Sequence, residues 1–194
     1  KVRPQKRLVA LVKVNDHHYL VKRYNCPNFW RWIKQFPLRA APAFRSWHYG
    51  HELGKKGILS PKPIMYIQKS VGPFWTTCYT INEFADGLKA EDFFKEGSAY
   101  KEQWPLVIKR LAKVIDKLNA NQIIHGDLNL DNIIISNGKP YLIDLDRMHI
   151  YHLDHTYYKR RYKSQHVRKI ARKLKRINPE VRSLYLDQMN LIED

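Results

Sequence analysis

The chain has 194 residues, 44% hydrophobic and 12% aromatic, enough for one folded domain or two small lobes around a cleft and too apolar for a disordered polypeptide. Its 35 lysines and arginines against 18 aspartates and glutamates give a formal net charge of +17, which points to an anionic partner: nucleic acid, an acidic membrane surface or a phosphorylated glycolipid. Cys26 and Cys78 make no disulfide framework and lack metal-ligand spacing, so a reducing compartment is expected; no apolar run reaches a membrane span and no signal peptide is visible.

In chain order, residues 8–14 and 19–24 flank Asn15 and Asp16 and pair as a β-hairpin whose second strand carries Lys22, with Arg23 on the opposite face. Residues 28–36 (NFWRWIKQF) alternate basic and aromatic side chains. They read as an amphipathic helix packed on the hairpin or, alternatively, as a contact with lipid or nucleic acid. A helix over residues 43–56 ends at Gly57, and ILSPKP at 58–63 leads into a further strand whose prolines limit its pairing. Residues 75–82 form a strand running into Glu83, Phe84, Ala85, Asp86 and Gly87. Over residues 106–119 the apolar positions 107, 108, 111, 112, 115 and 118 mark one face of a helix.

Residues 124–147, IHGDLNLDNIIISNGKPYLIDLDR, carry the chemistry. Asp127 and Asn132 stand five apart in a His-Gly-Asp-x-x-x-x-Asn frame, and Asp144 ends an apolar strand. Between them Ile133, Ile134 and Ile135 enter an Asn137-Gly138 turn, and Tyr141, Leu142 and Ile143 return, a hairpin that brings Asn132 and Asp144 to the same end. Phosphoryl transfer asks for an acceptor-orienting carboxylate and for oxygen ligands to magnesium. Asp127 fits the first role, Asn132 and Asp144 the second, and the order is that of a kinase catalytic loop followed by its metal strand. In that frame Lys22 is the candidate for the α- and β-phosphates of ATP, and the backbone of Glu83 and Ala85 for the adenine. No glycine precedes Gly50, so the first strand and Gly-rich loop of such a small lobe are expected before Lys1.

Residues 159–176 contain ten basic and no acidic residues, while Val167, Ile170, Ala171, Leu174 and Ile177 recur at helical spacing. One face buries and the remainder is positive, with Arg168, Lys169, Arg172 and Lys173 forming the expected anion surface. No Ala-Pro-Glu segment follows Asp144, and Gly126 stands where protein kinases place the arginine that meets an activation-loop phosphate. Control by activation-loop phosphorylation is therefore not expected.

From about Tyr19 onward the chain resembles the bacterial lipopolysaccharide core kinases, the protein-kinase-like Kdo and heptose kinase family. The resemblance runs through VKRY at 21–24, RSWHYGHELGKKGILSPKP at 45–63, HGDLNLDNIII at 125–135 and YLIDLDR at 141–147. It implies an α+β, bilobal protein-kinase-like fold, with a small lobe over residues 1–82, a hinge at 83–87 and a mainly helical lobe over 88–194. It also implies transfer of phosphate from ATP, with Mg2+, to a sugar hydroxyl of the lipopolysaccharide inner core, or of another anionic glycolipid, at the cytoplasmic surface of the inner membrane. One departure is Ser46, which stands where such kinases pair a glutamate with the strand lysine. Glu52, the one carboxylate between Asp16 and Glu83, is six residues further on, about 120° around the helix from Ser46. The alternatives are an atypical protein kinase, a small-molecule kinase, or a non-catalytic kinase-like module that binds nucleic acid or membrane.

Overall fold

The computed structural model describes residues 7–25, 40–71, 74–151 and 155–193, and of residues 7, 74, 155–164 and 191–193 only the backbone. The basic-aromatic segment at 28–36 and Cys26 lie outside the described residues. The chain divides into two compact units, one comprising Lys1–Leu53, Pro61–Phe84 and Leu145–Arg147, the other Gly54–Ser60, Ala85–Asp144 and Met148–Asp194.

In the first unit, β1 (Arg7–Val14) and β2 (His17–Asn25) form the expected hairpin. Asn15 and Asp16 take φ of 45° and 63°, the left-handed pair that a two-residue turn between twisted strands requires and that Asn and Asp tolerate. Helix α1 (Pro42–Lys55) follows, then β3 (Pro63–Val71) and β4 (Phe74–Glu83). The four strands make an antiparallel sheet in the order β1-β2-β4-β3. Tyr24 of β2 and Cys78 of β4 are directly opposite in register and pack with Ala41 and Ala43 into a small core, Trp75 lying against it. Gly50 allows α1 to approach the strand, since a Cβ there would lie 3.0 Å from Pro63 Cγ.

The second unit holds β5 (Leu88–Lys89), α2 (Ala90–Phe93), α3 (Trp104–Ala120), β6 (Ile123–Ile124), β7 (Ile133–Ser136), β8 (Lys139–Leu142), β9 (His149–Ile150), α4 (His155–Ile177) and α5 (Pro179–Glu193). The fold is α+β, with every strand pair antiparallel among the described residues. All six apolar positions read for α3 are buried, together with Trp104 and Asn119. Each buried leucine or isoleucine on that face contributes about 1.5–3 kcal/mol relative to exposure. Helix α3 packs on α5 and β8, and α4 on α5, with Ile170, Leu174, Val181, Tyr185 and Met189 buried. Asn178 caps α5: its side-chain oxygen accepts from the amides of Glu180 (3.1 Å) and Val181 (3.3 Å), and its amide donates to Phe94 O at 3.1 Å. Among the described residues no helix is long and apolar enough to cross a membrane.

Candidate active site

The hairpin predicted from residues 133–143 is β7 and β8, with Asn137 and Gly138 at φ 48° and 68° in its turn. Its ladder continues one step past the strands, where the Ile143 amide donates to Asn132 O at 3.0 Å. Asp144, the next residue, takes φ 61°, a left-handed conformation that costs a non-glycine residue about 1–3 kcal/mol.

The loop before β7 is folded by its own amides. The Asn132 side chain donates to the backbone carbonyl of Asp127 at 2.7 Å, and Asn129 Nδ2 reaches the same carbonyl at 3.4 Å. Asn129 Oδ1 in turn accepts from the amides of Asp131 (2.8 Å) and Asn132 (3.2 Å), capping the 3-10 turn at Leu130–Asn132. Gly126 adopts φ 80°, a conformation open to glycine and strained for the arginine that protein kinases carry there. The five-residue spacing of Asp127 and Asn132 is therefore the span of one capped turn.

His125, fully buried, joins loop and strand. Its Nε2 lies 2.9 Å from Ile143 O, so that nitrogen carries the proton, and Nδ1 has no hydrogen-bond partner among the described residues. Burial holds its pKa below the usual histidine value, outweighing the Ile143 bond and the charges of Asp144 and Asp127. Behind it, the His125 amide makes a long hydrogen bond of 3.5 Å to His166 Nε2 on α4, and His166 Nδ1 lies 3.3 Å from Asn119 Oδ1 on α3. Burial first, then the nearby His125 and Lys169, lower the His166 pKa to about 4.

These residues suit magnesium bound to a nucleotide triphosphate. With its NH2 committed to Asp127 O, Asn132 would offer its carbonyl oxygen as a ligand atom, and Asp144 would offer a carboxylate. Among the described residues no cluster of three or more His, Cys, Asp or Glu could hold a metal by itself. A two-oxygen donor set matches magnesium, which keeps several waters and shares substrate phosphates, and does not match a closed zinc site.

The remaining expected residues occupy both units. In the first, Lys22 pairs in register with Val9 and Thr80 and lies on the Tyr24 face of β2, Nζ 5.3 Å from that ring. Arg23 faces the other way, bonded to Asn25 Oδ1 at 2.9 Å and set over Tyr79. Ser46 is buried on α1, while Glu52 is half-buried. Glu83 closes β4, its amide donating to Lys62 O at 2.9 Å and its carboxylate 3.2 Å from Lys62 Nζ. Ala85 opens the next stretch of the second unit.

On α4, Lys169, Arg172 and Lys173 line a cleft with Asp127, Leu128 and Asn129, and Arg176 joins them. Arg168 is exposed and is not among the lining residues. Lys173 bonds Glu91 at 3.0 Å and Asp131 at 3.4 Å, and the Glu91 bond, then Asp131, raises its pKa. Three contributors went unread in the sequence: Asn129, Arg176 and His166. Arg176 was legible, since it continues the Lys169, Arg172 stripe four residues on; Asn129 was signalled only by its place before a short turn.

A carboxylate and an amide on one loop, with a second carboxylate two residues past the returning strand, are the groups needed to orient a hydroxyl and ligate a metal-nucleotide. Residues 4–182 match the lipopolysaccharide kinase (Kdo/WaaP) family, and the chain belongs to that family. The family is described as one of lipopolysaccharide kinases. Over 64 residues the chain is also 33% identical to a probable bifunctional tRNA threonylcarbamoyladenosine biosynthesis protein of Methanospirillum hungatei JF-1. That stretch covers 33% of this chain and 11% of the archaeal protein.

Proposed function

We propose that the protein transfers the γ-phosphoryl group of ATP to a hydroxyl of a Kdo or heptose sugar in the lipopolysaccharide inner core, at the cytoplasmic surface of the inner membrane. The observation that carries this reading is the 2.7 Å bond from Asn132 Nδ2 to Asp127 O, which fixes the Asn132 amide against the backbone of the turn that carries Asp127. Asp127 would accept a hydrogen bond from the acceptor hydroxyl and steer its proton away. As the acceptor oxygen bonds to the γ-phosphorus, the bond from phosphorus to the β,γ-bridging oxygen breaks and ADP leaves. Asn132 and Asp144 would hold magnesium, whose part is to neutralise charge on the β- and γ-phosphates. Lys22 would meet the α- and β-phosphates, and the backbone of Glu83 and Ala85 the adenine. The overall charge of +17 favours approach to an anionic lipid surface.

Incubation of the full-length protein with γ-labelled ATP, magnesium and purified inner-core lipopolysaccharide tests the reading. Labelled core sugar supports it; ATP bound without transfer to any core acceptor refutes it. A second reading, a kinase-like module in tRNA modification, draws on the local similarity to the archaeal protein and on the same positive charge. It requires salt-sensitive binding of tRNA in the concentration range where lipopolysaccharide fails to bind.

A further inference from the structure

The cleft beside Asp127 has a volume of about 230 Å3 and is lined by Asp127, Leu128, Asn129, Lys169, Arg172, Lys173 and Arg176. Positions 169, 172, 173 and 176 recur every three or four residues, so α4 presents them as one stripe. They divide by partner. Lys173 is held by Glu91 and Asp131, a tie that fastens α4 to the catalytic loop and to α2 and leaves it little charge to offer. Among the described residues, Lys169, Arg172 and Arg176 form no ion pair with a carboxylate, and Asp127 is the one acidic side chain on the lining. Like charges three and four apart on a helix cost roughly 0.2–0.5 kcal/mol per pair, so the stripe raises the energy of the protein alone and is relieved when an anion enters.

We propose that this cleft is an anion subsite for the acceptor, in which Lys169, Arg172 and Arg176 hold a carboxylate or phosphate carried close to the hydroxyl that Asp127 orients. The proposal rests on the phosphotransfer reading and makes the enzyme selective for acidic acceptors. Two features assign the subsite to the acceptor rather than to the nucleotide. Neither Asn132 nor Asp144 lines the cleft, and Asp127, the residue that faces the acceptor, does. Its size is below the about 300–1,000 Å3 of pockets that enclose a drug-sized ligand, which suits one charged substituent with its ring. Two arginines add planar, two-pronged recognition of carboxylate or phosphate, a geometry that a diffuse attraction to a bilayer does not need.

The test compares inner-core lipopolysaccharide with the same material after its carboxylates are reduced to alcohols and its phosphates removed. The proteins are the wild type, the Arg172→Ala, Arg176→Ala double variant and, as a charge control outside the cleft, Lys175→Ala. For the acidic acceptor, the double variant is expected to raise KM by about tenfold or more, with KM for ATP unchanged and Lys175→Ala like wild type. For the neutral acceptor, wild type and double variant should coincide. An equal loss on both acceptors, or a rise confined to KM for ATP, overturns the assignment; the latter would place donor phosphate in the cleft. Loss of binding to vesicles containing anionic phospholipid, with acceptor KM unmoved, overturns it in favour of a membrane headgroup. Calorimetric binding of both acceptors, which needs no turnover, separates this proposal from the reading beneath it. Acid-selective binding lost in the double variant, with no phosphate transferred, keeps the subsite and refutes the kinase reading. Wild-type protein that binds both acceptors alike refutes the subsite.

Discussion

His125 and His166 meet across 41 residues of sequence, the backbone N–H of the first donating to Nε2 of the second at 3.5 Å. The contact requires a neutral His166 with its proton on Nδ1, toward Asn119; a proton on Nε2 would set donor against donor. The folded pKa is about 4 against an ordinary 6.5, so as pH falls the unfolded chain takes up this proton first. The contribution is fully present above about pH 6.5 and is lost as pH falls through 4, on the order of 3 kcal/mol in all. Urea unfolding of the wild type should therefore weaken between pH 6.5 and 4. His166→Leu should be less stable at pH 7 and show a flatter dependence, the remainder coming from His125, whose pKa is shifted in the same direction. An unchanged slope in the variant would mean that another group titrates.

Asp127→Asn is expected to lower kcat by about 10²–10⁴-fold while leaving the melting temperature and ATP affinity close to wild type. The loop bonds from Asn132 and Asn129 end on the backbone carbonyl of Asp127, which the substitution keeps. Single-turnover phosphate transfer, read beside thermal unfolding, checks both halves. Wild-type turnover would remove Asp127 from the chemistry.

Asp144→Ala and Asn132→Ala should both raise the magnesium concentration needed for half-maximal ATP binding, since each deletes an oxygen ligand. Asn132→Ala should also lose stability, by about 1 kcal/mol, because it removes a hydrogen bond that folds the loop. Magnesium titrations at fixed nucleotide, with parallel denaturation curves, separate the ligand role from the structural one.

Much of the backbone around the candidate site was legible because its signals are local. The Asn137-Gly138 turn and the isoleucines before it announce a hairpin, and that hairpin, with the five-residue spacing, places Asn132 and Asp144 together. The apolar period of α3 was equally plain. His166 gave no such sign: a histidine in a basic amphipathic helix reads like any other residue at that spacing, and its value comes from two partners 41 and 47 residues away. The split among the basic residues was hidden for the same reason. Lys173 differs from Lys169 because Glu91 and Asp131 reach it, a fact of packing that composition cannot carry.

Tyr185 is fully buried on α5, and its hydroxyl has no hydrogen-bond partner among the described residues. Burial pushes the phenol pKa upward. Tyr185→Phe deletes that unsatisfied group and keeps the ring, so the variant is expected to be at least as stable as wild type, with a gain of about 1 kcal/mol. A loss of stability in chemical denaturation would reveal a polar partner for the hydroxyl.

The bonds joining His125, Asp127, Asn132 and Ile143 also bear on the order in which the protein folds. They span 5 to 18 residues, so closing them sacrifices little chain entropy, whereas the link to His166 waits on α4. Pulse-labelled hydrogen exchange during refolding should find the Ile143 amide, bonded to Asn132 O, protected before the His125 amide. The turn that carries Asp127 and Asn132 would then be assembled early, as a contiguous segment, and the basic helix would close over a loop already shaped to receive it.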